Sequence, residues 1–331
     1  MWPVQTLQRL LDIEHPIIQA PMGGAVSPAL AASVSNAGGL GMLPGISASP
    51  DRLRAAIRAT REITDRPFGV NLVFKDEIEP LLETALEERV PVVSFFWGDP
   101  APFVERVHSA GAIVMHTIGS ASEAKRSIDQ GTDVVVAQVW EAGGHVWGMV
   151  STLALVPAVA AIAGATPVVA AGAIADGSAV VAALALGASG VWIGTRFLAA
   201  AEATIHEVYR GRLFAAAETD TVYTDLYDKG WPNAPHRVLR NATFEAWQDA
   251  GQPRPGERPG ERDVVAKAAD GSAIERYAVR TPHESFLGDI ETLPLWAGQG
   301  VARIDRVQTA RAIFDDLLSE TTTCLARLGS T

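Results

Sequence analysis

The chain has 331 residues, 48% of them hydrophobic and 20% charged, with a net charge of −11. That length allows one large domain or two ordinary ones, and the acidic balance argues against nucleic acid or an anionic membrane as partner. Cys324 is the only cysteine, which leaves no intrachain disulfide framework and no cysteine metal cluster.

The first segment, "MWPVQTLQRLLDIEHP", places charges where a signal peptide needs an uninterrupted apolar core, so the chain reads as soluble and cytoplasmic. From residue 16 to about 196, short apolar runs alternate with helical patterns. The strand candidates are "PIIQAPM" (16–22), "GLGML" (39–43), "FGVNLVF" (68–74), "VPVVSFF" (90–96), "AIVMHT" (112–117), "DVVVAQ" (133–138), "PVVAAG" (167–172) and "GVWIG" (190–194). Between them lie helices such as "SPALAASVSNAG", "SPDRLRAAIRATREI" and "DGSAVVAALALGA", several of which start with a Ser or Asp cap and stop at Gly. "STLALVPAVAAIAGATPVVAAGAIA" is long and apolar, but its prolines at 157 and 167 fit a buried helix followed by a buried strand better than a membrane span.

Strands that are apolar on both faces are expected in a parallel sheet covered by helices. Eight strand–helix units therefore predict a (β/α)8 TIM barrel, with an open doubly wound sheet as the alternative. Residues 1–200 and 301–331 are assigned to the barrel, with a helix at about 304–328 returning to its outside. Residues 201–300 are assigned to a helical lid over the active end, and within them "QPRPGERPGERD" reads as an exposed loop.

In a barrel the chemistry sits where strands end and βα loops begin. The glycines of "AAGAIADG" and "IGTRF" follow the seventh and eighth strands, where Gly172, Ala173, Gly194 and Thr195 can offer amides, and Thr195 a hydroxyl, to a phosphate. Ordinary tight turns are the plainer reading of each stretch alone. No Walker sequence or convincing dinucleotide fingerprint accompanies them. Asn71 and Gln138 are amides inside apolar strands; each needs hydrogen-bond partners, either neighbouring backbone or a polar heterocycle such as a flavin's pyrimidine edge. In the second case Gly143 leaves room for the ring system. His145, on the loop after Gly143 and Gly144, suits a general base near its unperturbed pKa of about 6.5. His15, His108, His206 and His283 read as locally satisfied, and His116 as intermediate. Trp140, Trp147, Trp231 and Trp296 are candidates for an apolar wall, although core packing is the commoner role of each.

"PIIQAPMGG", "FGVNL", "AQVWEAGGH", "AAGAIADG", "WIGTRF" and "PLWAGQG", together with "APHRVLRN", resemble the flavin-binding nitronate monooxygenase family over most of the chain. The resemblance implies FMN held by Asn71, Gln138, Gly143, Gly144, Gly172, Ala173, Trp192, Ile193, Gly194 and Thr195, with Ala20, Pro21 and Met22 near its ring. It also implies His145 as the catalytic residue, with an alkyl nitronate and O2 as reactants. The relatives that share an AGGH motif make an NAD(P)H-dependent reductase of quinones or enoyl thioesters the alternative. Thr117 stands where some quinone-reducing relatives carry Lys, which weighs mildly against that activity. Outside redox chemistry, a barrel lyase or isomerase with a phosphate site is the third reading, and a non-catalytic binding protein the fourth.

Overall fold

The computed structural model describes residues 2, 5–75 and 77–329. Eight parallel strands run β1 (Ile17–Gln19), β2 (Gly41–Pro44), β3 (Phe68–Val73), β4 (Val92–Phe96), β5 (Ile113–Ile118) and β6 (Val134–Gln138), then β8 (Val168–Ala171) and β9 (Gly190–Ile193). A two-residue strand, β7 (Gly144–His145), lies between them in sequence but outside the barrel sheet. Neighbours follow chain order from β2 to β9, and β9 pairs with β1. Leu40 closes the ring: its N–H donates to Ile17 O at 3.0 Å and its carbonyl accepts from Gln19 N at 2.9 Å. The barrel is therefore closed, and every expected strand is present.

Alternation along each strand separates two environments. Ile18, Met42, Val92, Met115, Val134, Val136, Val169 and Trp192 fill the barrel interior. Leu7 and Leu11 of α1 (Thr6–Leu11) join the same cluster. The other strand faces pack against α2 (Pro28–Asn36), α3 (Pro50–Arg61), α4 (Glu79–Glu87), α5 (Ala101–Ser109), α6 (Ala121–Asp129), α7 (Thr152–Ala160) and α8 (Gly177–Ala185). The caps read from sequence are in place. Ser27 Oγ accepts from Leu30 N at 3.0 Å, Ser49 Oγ from Arg52 N at 3.3 Å, and Asp176 Oδ1 from Ala179 N at 2.9 Å. Pro157 does not end α7, which continues to Ala160 because Leu155, Val156 and Val159 on its inner face are buried.

Residues 201–300 carry α9 (Glu207–Ala215) and α10 (Ala242–Asp249), and also strands that the helical expectation does not include. β10 (Thr221–Thr224) and β11 (His236–Leu239) form an antiparallel sheet with β7, while β12 (Val264–Lys267), β13 (Ala273–Glu275) and β14 (Leu287–Gly288) form another. In "QPRPGERPGERD" Arg258 is buried, lies 4.2 Å over the Tyr277 ring, and pairs with Asp228 at 2.9 Å and with Glu261. The last helix, α11 (Ala310–Gly329), packs Ile313, Phe314 and Leu317 onto the barrel's outer core. No helix among the described residues is long and apolar enough to cross a membrane.

Candidate active site

His145 sits at the C-terminal end of the barrel, on the loop that follows β6 and directly opposite His236 of β11. Val146 N donates to Pro235 O at 2.9 Å, so the backbone before β11 holds this loop on one side. Gln138 holds it on the other. Its Nε2 donates to His145 O at 3.0 Å and its Oε1 accepts from Trp147 N at 2.8 Å. The amide that interrupts the apolar β6 is thus engaged by the backbone of the catalytic-candidate loop.

The imidazole of His145 is surrounded by rings. Trp231 stacks on it at 4.1 Å between centroids, with Trp296 at 5.3 Å, His236 at 5.5 Å and Trp97 edge-on at 6.0 Å. Its Nε2 is buried and makes no hydrogen bond. Burial, aided by His236 and by the positive charge of Lys75, holds its pKa well below 6.5. The sequence predicts a base near its ordinary pKa; the structure instead keeps this imidazole neutral, which disfavours an imidazolium as partner for an anion. His236 is neutral as well. Burial pushes it down to about 4, its Nδ1 donates to Ala234 O at 2.9 Å, and its Nε2 accepts from Tyr227 N at 3.4 Å.

The remaining histidines have local partners. His116 Nε2 donates to Gly98 O at 2.9 Å while Nδ1 accepts from Ser127 Oγ at 2.8 Å. His108 meets Asp133 at 2.8 Å, Trp2 Nε1 donates to His15 Nδ1 at 3.0 Å, and His206 and His283 accept from nearby amides.

The expected tryptophan wall is rearranged. Trp140 turns away to pack on Tyr223 at 4.2 Å and under the Arg237 guanidinium at 5.0 Å, whose Nη2 donates to Trp140 O at 3.0 Å. Trp97 takes its place, 4.9 Å from Trp147 and 5.0 Å from Trp231. Trp97 has φ 71°, a left-handed conformation that costs an ordinary side chain about 1–2 kcal/mol. Sequence reasoning singles out neither Trp97 nor His236. The available signals are an aromatic–glycine turn directly after β4 and the histidine within "APHRVLRN".

The glycines divide into two groups. A Cβ on Gly143 would lie 2.3 Å from Gly298 N and 2.5 Å from Ala297 C, so the missing side chain there admits the backbone of residues 297–298. Gly144 has φ 72° and pairs with Arg237. At the end of β8, Gly172 (φ 129°) and Ala173 (φ 54°) turn the chain sharply, with Val139 and Ala142 against Gly172. At the end of β9, the atoms nearest a Cβ on Gly194 would be Ala20 Cβ at 3.5 Å and Met22 Sδ at 3.7 Å. Thr195 Oγ1 accepts from Gly298 N at 3.1 Å. Trp192 faces the barrel interior, whereas Ile193 packs outward against the helices. Pro21 lies on the loop between Ala20 and Met22, closed by Met22 N donating to Ala20 O at 2.9 Å. Asn71 is buried, and its Nδ2 donates to Ser94 O at 3.3 Å and Ser94 Oγ at 3.2 Å.

The model of the nitronate monooxygenase family matches residues 5–82 and 78–320. The chain belongs to the nitronate monooxygenase family. It is an oxidoreductase of that family, which removes the lyase and isomerase reading. A Mycobacterium tuberculosis relative, (3aS,4S,5R,7aS)-5-hydroxy-7a-methyl-1-oxo-octahydro-1H-indene-4-carboxyl-CoA dehydrogenase, is 36% identical over 75% of this chain and 69% of its own. Among solved structures, FabK from Thermotoga maritima superposes with a TM-score of 0.83 at 34% identity, covering 98% of both chains. Nitroalkane oxidase from Streptomyces ansochromogenes gives a TM-score of 0.78 at 27% identity, covering 98% of this chain and 99% of the other.

Proposed function

We propose that this member of the nitronate monooxygenase family oxidises alkyl nitronates and their parent nitroalkanes with O2, using FMN, with His145 as general base. The observation that carries the reading is the His145 imidazole: neutral, walled by rings, with a buried Nε2 that has no protein partner. Such a nitrogen is ready to accept a proton from a carbon acid. The family supports the redox part.

The residues present fit FMN at the ends of β8 and β9. The flank of Gly194 facing Ala20 and Met22 is open to ordinary contact distance, and the Thr195 hydroxyl, which accepts from Gly298, retains a proton to donate. Neutral amides at Gly172, Ala173, Gly194 and Thr195 with that hydroxyl form a donor set suited to a phosphate. Asn71, Ala20 and Met22 would flank the rest of the cofactor. When bound, FMN would supply the redox chemistry between substrate and oxygen.

The protein's own part is acid–base and positional. His145 Nε2 takes the α-proton of a neutral nitroalkane; a preformed nitronate does not need this step. Gln138 keeps the loop in register by holding His145 O and Trp147 N, and Trp231 fixes the plane of the imidazole by stacking. The indoles exclude water from the nitrogen and so keep it unprotonated between turnovers.

The test is to identify the chromophore released from purified protein by chromatography, then to measure nitrite release and oxygen uptake with propyl nitronate. FMN, nitrite and oxygen consumption are expected. A second reading, reduction or dehydrogenation of a thioester or quinone, is supported by the 36% identical relative, a carboxyl-CoA dehydrogenase. Rapid oxidation of NADH or NADPH by an enoyl thioester or quinone, with nitronate inert, moves the assignment there. A protein that takes up no FMN rejects both.

A further inference from the structure

We infer that Trp97 is a specificity-determining residue, whose indole, with those of Trp147 and Trp231, selects substrates whose reacting carbon carries a flat apolar ring. The inference rests on the His145 site being where substrate binds, and it goes beyond the reading above by naming the class of body the site prefers.

Trp97 is held in its unusual backbone conformation from both sides. The preceding residue is fixed because Phe96 O accepts from Phe74 N at 2.9 Å. The following one is fixed because Gly98 O accepts from His116 Nε2 at 2.9 Å, and His116 is in turn anchored by Ser127 Oγ. Gly98 also lies so close to Phe74 that a Cβ there would be 2.6 Å from its ring. A positive φ of 71° is cheap for Gly or Asn and unfavourable for Trp. The chain nevertheless places the largest side chain there and over-determines the turn that carries it. Backbone strain of this kind concentrates at functional sites, and here it aims an indole at the candidate base.

The resulting wall has a definite shape. Trp97 meets Trp147 at 65° and Trp231 at 66°, while Trp231 stacks on His145. Trp97 is thus edged against both other indoles, and such a cluster presents flat faces and edges, which complement another ring by offset or edge-to-face packing. A short aliphatic chain covers much less of that surface. With the imidazole neutral and unpartnered at Nε2, that nitrogen is left to meet the acidic C–H of the substrate while the indoles meet its ring.

Nitrobenzene and 2-methyl-2-nitropropane both lack an α-hydrogen, so their binding can be measured by calorimetry on the holoenzyme without turnover. The parent is expected to bind nitrobenzene at least about tenfold more tightly, in line with the discrimination that apolar pockets achieve. In Trp97→Leu that ratio is expected to fall towards unity, and in Trp97→Phe to be largely kept. The kcat/KM ratio for the nitronates of phenylnitromethane and nitroethane is expected to fall in parallel in Trp97→Leu. Should that variant fail to fold, Trp147→Leu, at the exposed side of the same wall, is expected to lower the binding ratio. An unchanged ratio in the leucine variant, or equal loss of both ligands, overturns the inference. If no nitronate is consumed at all, the reaction assignment fails, while the two inert ligands still judge Trp97.

Discussion

Gln138 and His145 are joined by a hydrogen bond of 3.0 Å from the Gln138 amide to the His145 carbonyl, and the same side chain accepts from Trp147 N at 2.8 Å. One strand-end residue therefore spans the loop that carries the proposed base. Replacing it by an apolar isostere, Gln138→Leu, leaves a carbonyl and an N–H without their partner. The expected stability loss is about 1–3 kcal/mol, read as a lower melting temperature. Turnover of a neutral nitroalkane should fall with it. A variant that melts and turns over like the parent would show that the clamp is dispensable.

His145→Asn should retain the fold and the chromophore. Loss of a general base typically costs about 10²–10⁴-fold, and a fall of that order is expected with a neutral nitroalkane. Preformed nitronate, which has no proton to surrender, should be much less affected. Steady-state assays on the two substrates side by side make the comparison. Equal turnover of the neutral substrate by parent and variant removes His145 from the chemistry.

The pH profile follows from the environment of that imidazole. Burial holds its pKa well below 6.5, so it stays in the base form at pH 6.5 and somewhat below. The rate step that depends on it should stay level as pH falls from about 8 to 6.5, and decline only in more acidic solution. The measurement is kcat/KM against pH with a neutral nitroalkane. A half-maximal point at 6.5 or higher contradicts the burial argument.

Stability should depend on pH through His236, whose pKa lies at about 4 in the folded protein because it is buried. Below about 6.5 the unfolded chain takes up a proton there that the folded chain refuses. Stability from this residue is therefore complete above 6.5 and is lost progressively as pH falls to about 4. The total amounts to about 3 kcal/mol, since each tenfold weakening of proton affinity corresponds to about 1.4 kcal/mol. His236→Asn should melt at a temperature that varies less with pH across that window. An identical pH slope in parent and variant rules this source out.

Gly143→Ala tests the lid contact. The added methyl would sit 2.3 Å from Gly298 N, so the Ala297–Gly298 segment must shift. Overpacking of this kind costs about 1–3 kcal/mol. Faster proteolysis within residues 201–300, together with a lower melting temperature, is expected. Parent-like protection of that segment would mean the backbone there yields without cost.

Much of the scaffold is legible in the sequence, because its signals are local. Continuous apolar runs bounded by turns mark all eight barrel strands, and Ser27, Ser49 and Asp176 mark helix starts that their side chains do cap. The position of His145 just beyond β6 follows from the same punctuation. Residues 201–300 are harder. Their strands are two to four residues long, too short for alternation to show, and the sheet nearest the site gains its third strand only because β7 and β11 meet. The site's character is also hidden. Which rings enclose His145, why Gly143 has no side chain, and where the amide of Gln138 is engaged all depend on contacts between distant segments. So does the imidazole's lowered pKa, because desolvation is set by everything packed around a group and not by its neighbours in sequence. The sequence by itself determined a barrel with a histidine at its active end. Tertiary packing decided that this histidine is neutral, ring-walled and held between β6 and β11.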